Sequence, residues 1–195
     1  MKYVEASAAE QRLILARHGA TEPNLAGLRC GGDLDVPLTE RGRHQAAETA
    51  KRIVDLDWHV GVIIASHLQR TRESAAIISD LLGGVDVIIE PAFAERRLGA
   101  WNRRPVADTE AALVAGETPP GGESNAVFVN RIAQAARSLL LPRISQSPLL
   151  VGSKGVARAF RELLGMSRAA AFANGELLQL DLALLKQHDT ISCNA

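Results

Sequence analysis

Five short, predominantly apolar runs set the limits on what this chain can become. They are Leu13 to Ala16, Val60 to Ala65, Val85 to Ile89, Leu149 to Val151 and Leu177 to Leu182. Each is too short for a buried helix and too apolar for a strand with one wet face, so they suit strands covered on both sides. Helical patterns lie between them. Thr39 is placed to cap a helix that buries Ala46, Ala47, Ala50, Ile53 and Val54. A second helix is expected from Gln69 to Leu82, stopped by Gly83-Gly84, and a third from Ser124 to Leu141, ahead of Pro142. A fourth runs from Val156 to Leu164 and ends at Gly165. This alternation predicts an α/β fold of three layers, a doubly wound, mostly parallel sheet with helices on both faces. At 195 residues it is read as a single domain over 1–195, with an irregular inserted segment at about 93–122 over one sheet edge.

Several function classes are disfavoured. Lys plus Arg and Asp plus Glu are 22 each, so no positive field for nucleic acid is expected. No apolar run is long enough to span a bilayer, and residues 1–11 hold no apolar stretch that would act as a signal peptide. Cys30 and Cys193 are too few for a disulfide framework and read as free thiols, which with the rest gives a cytoplasmic expectation. The histidines are scattered without ligand spacing, so no metal and no cofactor are expected. A homodimer is expected from base rate alone.

Open α/β sheets bind ligands beyond the carboxyl ends of their strands. Arg17-His18-Gly19 follows the first run, Ser66 the second with Arg70 a helical turn later, Glu95 lies beyond the third, and Ser153-Lys154 follows the fourth. Two guanidiniums suit a phosphoryl group, and a neutral imidazole between them is a competent nucleophile. Glu95 is a candidate general acid. His44, His59, His67 and His188 are read as structural or solvated.

With these residues in view, the chain resembles the histidine phosphatase superfamily, the phosphoglycerate mutase-like proteins, along nearly its whole length. The segments that carry the resemblance are LILARHGATEPN (13–24), GGDLDVPLTERG (31–42), SHLQRTRES (66–74), ERRLGAW (95–101), PPGGES (119–124) and LLVGSKGVARAF (149–160). The resemblance implies a phosphohistidine on His18, phosphoryl binding by Arg17, Arg70, Thr21 and Asn24, and proton donation by Glu95. A small phosphorylated metabolite is the expected partner, and hydrolysis the preferred outcome over phosphomutase chemistry.

One family position departs from the pattern. The last motif usually reads Ser-His-Gly or Ser-His-Lys before Gly-Val, and Ser153 stands where that histidine should be in Val151-Gly152-Ser153-Lys154-Gly155-Val156. Ser153 can donate one hydrogen bond to the phosphoryl group but carries no charge. A catalytically impaired relative that binds a phosphorylated ligand as sensor or carrier is therefore the alternative. Arg103 and Arg104, with Arg96 and Arg97, form the one basic cluster, and Arg103, Arg104 and Lys154 are expected to contact a further anionic group of the substrate.

Overall fold

Successive strand residues point to opposite faces, so an all-apolar strand needs a packed layer on each side. That requirement organises the chain. The structure is a computed structural model describing residues 12–182 and Leu185; the readings of residues 1–11, His188 and Cys193 fall outside them. The strands are β1 (Arg12–Arg17), β2 (Val62–Ala65), β3 (Val87–Ile89), β4 (Pro148–Gly152) and β5 (Leu177–Asp181). They form one sheet in the order β3-β2-β4-β1-β5. The first four are parallel, and β5 joins antiparallel to β1.

The helices are α1 (Glu22–Leu25), α2 (Glu40–Asp55), α3 (Gln69–Leu81), α4 (Val106–Ala115), α5 (Asn125–Ala135) and α6 (Lys154–Leu163). On one face of the sheet, Leu13, Leu15, Val62, Ile64 and Leu150 pack with Phe128 and Ile132 of α5 and with Val156 and Phe160 of α6. On the other, Ile14, Ala16, Ile63, Ala65, Leu149 and Val151 pack with Ala50 and Ile53 of α2 and with Ala75 and Ile78 of α3. The fold is the expected mostly parallel α/β sandwich, and its three layers follow directly from the strand periodicity.

Three local features differ from the sequence reading, each for a physical reason. β3 is an edge strand, so Val87 and Ile89 remain 37% and 44% exposed and only one side of the pairing is used. The helix expected to run to Leu141 changes form at Ala136. It widens into a π turn over Ala136–Leu140 and tightens into a 3-10 helix over Leu141–Gln146. Pro142 has no N–H to give to the preceding turn, so the α pattern cannot continue through it. The segment at 93–122, read as irregular, contains a regular helix, α4, ended by Gly116 in the left-handed conformation.

Thr39 caps α2 as expected, its hydroxyl oxygen accepting from Gly42 N at 3.0 Å. The same hydroxyl donates to Ala20 O at 3.0 Å, which ties the loop after β1 to the start of α2. The approach is close enough that a Cβ on Gly42 would sit 2.2 Å from Ala20 O. Gly42→Ala is therefore expected to cost about 1–3 kcal/mol of stability, as overpacking of a backbone contact does. Chemical denaturation measures it, and a loss below about 0.5 kcal/mol would show that the loop can relax away.

Candidate active site

The Arg17-His18-Gly19 turn is held by backbone contacts from distant parts of the chain. Arg17 N donates to Glu176 O (3.0 Å) and His18 N to Gly152 O (2.9 Å). Asn174 Nδ2 donates to His18 O at 3.0 Å, and Gly19 N donates to Ser74 Oγ at 3.1 Å. His18 is 3% exposed, and its Nδ1 lies 2.7 Å from Gly19 O. A carbonyl oxygen only accepts, so Nδ1 carries the hydrogen and Nε2 presents a lone pair. Burial, then the charges of Arg70 and Arg17, push the imidazolium well below its usual pKa. The ring is thus neutral, with one nitrogen oriented and the other available.

Arg17 lines a cavity of about 260 Å³ together with His18, Asn24, Glu95 and Lys154. One Arg17 terminal nitrogen donates to Phe172 O, and its Nε has no partner. Burial lowers its pKa to about 10, partly opposed by the nearby Glu95 and Glu176 carboxylates, and it remains charged at neutral pH. Arg70 is 1% exposed and lies outside the cavity lining. Its guanidinium donates to Leu34 O (2.9 Å) and Gly31 O (3.2 Å), with Nε unpartnered. Its charge is felt by His18 even so. Thr21 is also buried, with an unpartnered hydroxyl, and is likewise absent from the lining. Asn24 Oδ1 accepts from Thr21 N and from Asn174 Nδ2, both at 3.2 Å, so it braces the loop as well as lining the cavity.

Glu95 reaches the cavity from the segment after β3. Its Oε1 accepts from Arg96 N at 2.6 Å and its Oε2 from Gly155 N at 2.9 Å, in the first turn of α6. A helix N-terminus favours a carboxylate, and here it also fixes its orientation. The contact requires glycine, because a Cβ at position 155 would fall 1.9 Å from Oε1. Asp33 pins the same segment further along, accepting from Leu98 N (3.0 Å), Gly99 N (2.8 Å) and Asn102 Nδ2 (2.7 Å).

The remaining sequence candidates divide. Ser153 is 3% exposed, does not line the cavity, and caps α6 by accepting from Val156 N at 3.5 Å. That cap engages an oxygen lone pair and leaves the hydroxyl proton uncommitted. Lys154 does line the cavity, with Nζ 2.9 Å from Glu110 Oε1. Arg103 and Arg104, expected to contact substrate, are instead exposed and outside the lining. Their backbone pairs with Arg29: Arg29 N donates to Arg104 O and Arg103 N to Arg29 O, both at 2.9 Å. Arg29 lines the cavity in their place, its side chain held by Thr109 Oγ1 (2.7 Å) and Glu110 Oε2 (2.6 Å). Ser66 is engaged with Thr71 at 2.8 Å, and His67 is exposed. Sequence reasoning passed over Arg29, Arg158, Arg168 and Asn174, all of them lining residues. Arg158 could have been found, since it follows Lys154 by one helical turn; Asn174 carried no local signal.

Among the described residues, no group of three or more His, Cys, Asp or Glu side chains is arranged to hold a metal ion. No described helix is long and apolar enough to cross a membrane. The chain matches the histidine phosphatase superfamily (branch 1) over residues 13–188. It belongs to that superfamily. Among curated relatives, "Probable phosphoglycerate mutase GpmB" of Erwinia tasmaniensis is 35% identical over 156 residues, covering 75% of this chain and 70% of the relative. Among solved structures, mycobacterial hydrolase 1 superposes with a TM-score of 0.75 at 25% identity, covering 88% of this chain and 89% of its own. The mycobacterial glucosyl-3-phosphoglycerate phosphatase in complex with VO3 gives 0.73 at 27% identity, covering 87% and 90%.

A neutral buried His18 makes stability depend on pH in a set direction. Its folded pKa is below the unfolded value of about 6.5, so the unfolded state binds the extra proton first and stability falls as pH drops through 6.5. Between pH 7.5 and 5.5 the native protein should lose about 1 kcal/mol more than His18→Asn. Urea midpoints at the two pH values measure this, and equal losses would mean His18 is not held neutral.

Proposed function

We propose that this chain is a phosphomonoesterase that acts on a small phosphorylated metabolite through a phosphohistidine on His18. The observation that carries the reading is the state of His18 itself: buried, neutral, with Nδ1–H fixed on Gly19 O and Nε2 left as the nucleophile beside the Arg17 guanidinium. Nε2 attacks phosphorus, the N–P bond forms, and the ester P–O bond breaks. Arg17, with the buried charge of Arg70 behind it, stabilises the oxygens of the transferring group. Glu95 delivers the proton that the leaving alkoxide takes up. The resulting carboxylate then takes a proton from water as that water attacks the phosphohistidine, which releases phosphate and restores His18.

Ser153 supports a second reading. Its neutral hydroxyl, outside the cavity lining, is a weaker partner for a transferring phosphoryl group than the family's histidine. Removing a donor of that kind typically costs about 3–4 kcal/mol of transition-state stabilisation. On this reading the chain holds a phosphorylated ligand with little turnover. Transfer of the group back to a substrate, as in a mutase, uses the same His18 intermediate and differs only in what accepts it.

Phosphate release from a panel of phosphorylated metabolites separates these outcomes. Turnover by the native protein that disappears in His18→Ala is expected. Turnover that survives in His18→Ala would overturn the mechanism, while tight binding with no turnover would favour the second reading. Ser153→His is expected to raise the rate by roughly a hundredfold. It should also lower stability by about 1 kcal/mol through loss of the cap. An unchanged rate would show that position 153 does not face the transferring group.

A further inference from the structure

The cavity carries more positive charge than one phosphoryl group needs. Its lining includes six cationic side chains, Arg17, Arg29, Arg96, Lys154, Arg158 and Arg168, against one carboxylate, Glu95. Two of the six are spent on the fold. Arg96 donates to Glu123 O (2.8 Å) and Glu117 O (2.6 Å), and Arg168 donates to Asn125 Oδ1 (2.9 Å) and pairs with Glu162 (3.2 Å). Arg17 belongs to the phosphoryl site. Arg29, Lys154 and Arg158 remain, and they share a single anion. Arg29 meets Glu110 Oε2 at 2.6 Å, Lys154 meets Oε1 at 2.9 Å, and Arg158 also bonds Oε1.

Three cations on one carboxylate leave about two positive charges uncompensated where two of the three, Arg29 and Arg158, are buried, and such an excess is costly. Arg158 is 7% exposed and its Nε has no partner. Arg158 is also near enough to Arg17 for the two charges to repel. The subsite therefore lies beside the phosphoryl site. Burial disfavours the Glu110 anion, yet the Lys154 and Arg29 hydrogen bonds and the Arg158 charge hold its pKa at about 2. Glu110 comes from α4 in the 93–122 segment, whereas Lys154 and Arg158 come from α6, one turn apart on the same face.

We infer that Arg29, Lys154 and Arg158 form a second anion subsite that takes a further carboxylate or phosphate of the substrate, with Glu110 holding these cations together until that group arrives. The inference rests on the phosphomonoesterase reading and adds to it a substrate class: phosphate esters with a second anionic group a short distance from the first. Glu110 sets selectivity by competing with that group, so only a ligand able to draw cations away from an internal carboxylate binds well.

Binding tests this separately from turnover. In the His18→Ala protein, calorimetry compares 3-phosphoglycerate with glycerol 3-phosphate, a pair differing in one carboxylate, and fructose 1,6-bisphosphate with fructose 6-phosphate, a pair differing in one phosphate. The doubly anionic member of at least one pair is expected to bind about tenfold tighter or more, and the pair that shows it tells carboxylate from phosphate. Adding Arg158→Gln should bring the two affinities to within about threefold of each other, and Glu110→Gln should widen the gap. Lys154→Met serves the same comparison if Arg158→Gln does not fold. Equal affinities within both pairs, or an Arg158→Gln loss shared equally by both members, would overturn the subsite. That result alongside His18-dependent turnover leaves the phosphomonoesterase reading intact. Discrimination by charge without turnover removes only the hydrolysis, and no binding of any ligand defeats both.

Discussion

A buried guanidinium with no carboxylate partner among the described residues is the constraint around which this structure is arranged. Arg70 is 1% exposed, and its hydrogen bonds go to the carbonyls of Gly31 and Leu34. Dipoles solvate the charge without cancelling it, so the site keeps a standing demand for an anion. Meeting that demand for carbonyls fixes the course of the 31–34 loop. Asp33 in that loop then holds Leu98, Gly99 and Asn102, and so sets the stretch that follows Glu95. Glu95 is seated in turn on Gly155 at the start of α6. One unneutralised charge is thus connected, through a chain of hydrogen bonds, to the group proposed to move the proton.

Much of this was legible in the sequence because it depends on local periodicity and on strand ends. The five apolar runs give the strands, and the residues just beyond them give His18, Arg17 and Glu95. What the sequence hides is whatever one segment decides for another. Arg29 and the Arg103-Arg104 pair are indistinguishable as basic residues in loops. Only the partners that α4 brings, Thr109 and Glu110, distinguish the inward Arg29 from the other two, which face water. Glu110 gave no signal, since it gains its role from three cations contributed by two other elements. The π turn at Ala136–Leu140 was hidden for a different reason: its apolar spacing reads as α-helix until Pro142 is reached.

Ser153 shows how one position can serve the fold and bear on the site. As the residue before α6 it occupies the place where a serine stabilises a helix, and it does so through Val156 N. The same helix start presents Gly155 to Glu95 and Lys154 to Glu110. A secure N-terminus for α6 therefore orients groups on two sides of the cavity, which is a physical reason for a capping residue there.

The straps on His18 also bear on how the protein is made. Its amide is bonded to Gly152, its carbonyl to Asn174, and the preceding amide to Glu176, all contributed by parts of the chain more than 130 residues downstream. Contacts so distant in sequence form late, after the loop entropy between them has been overcome. A ribosome-bound chain that has emerged as far as α5 can have β1, β2 and most of the apolar core residues, yet it lacks all three of these straps on the His18 turn. Ordering of the His18 turn would then wait for β4 and residues 174–176 to emerge, and a product cut short before them would lack these straps even if it were partly folded.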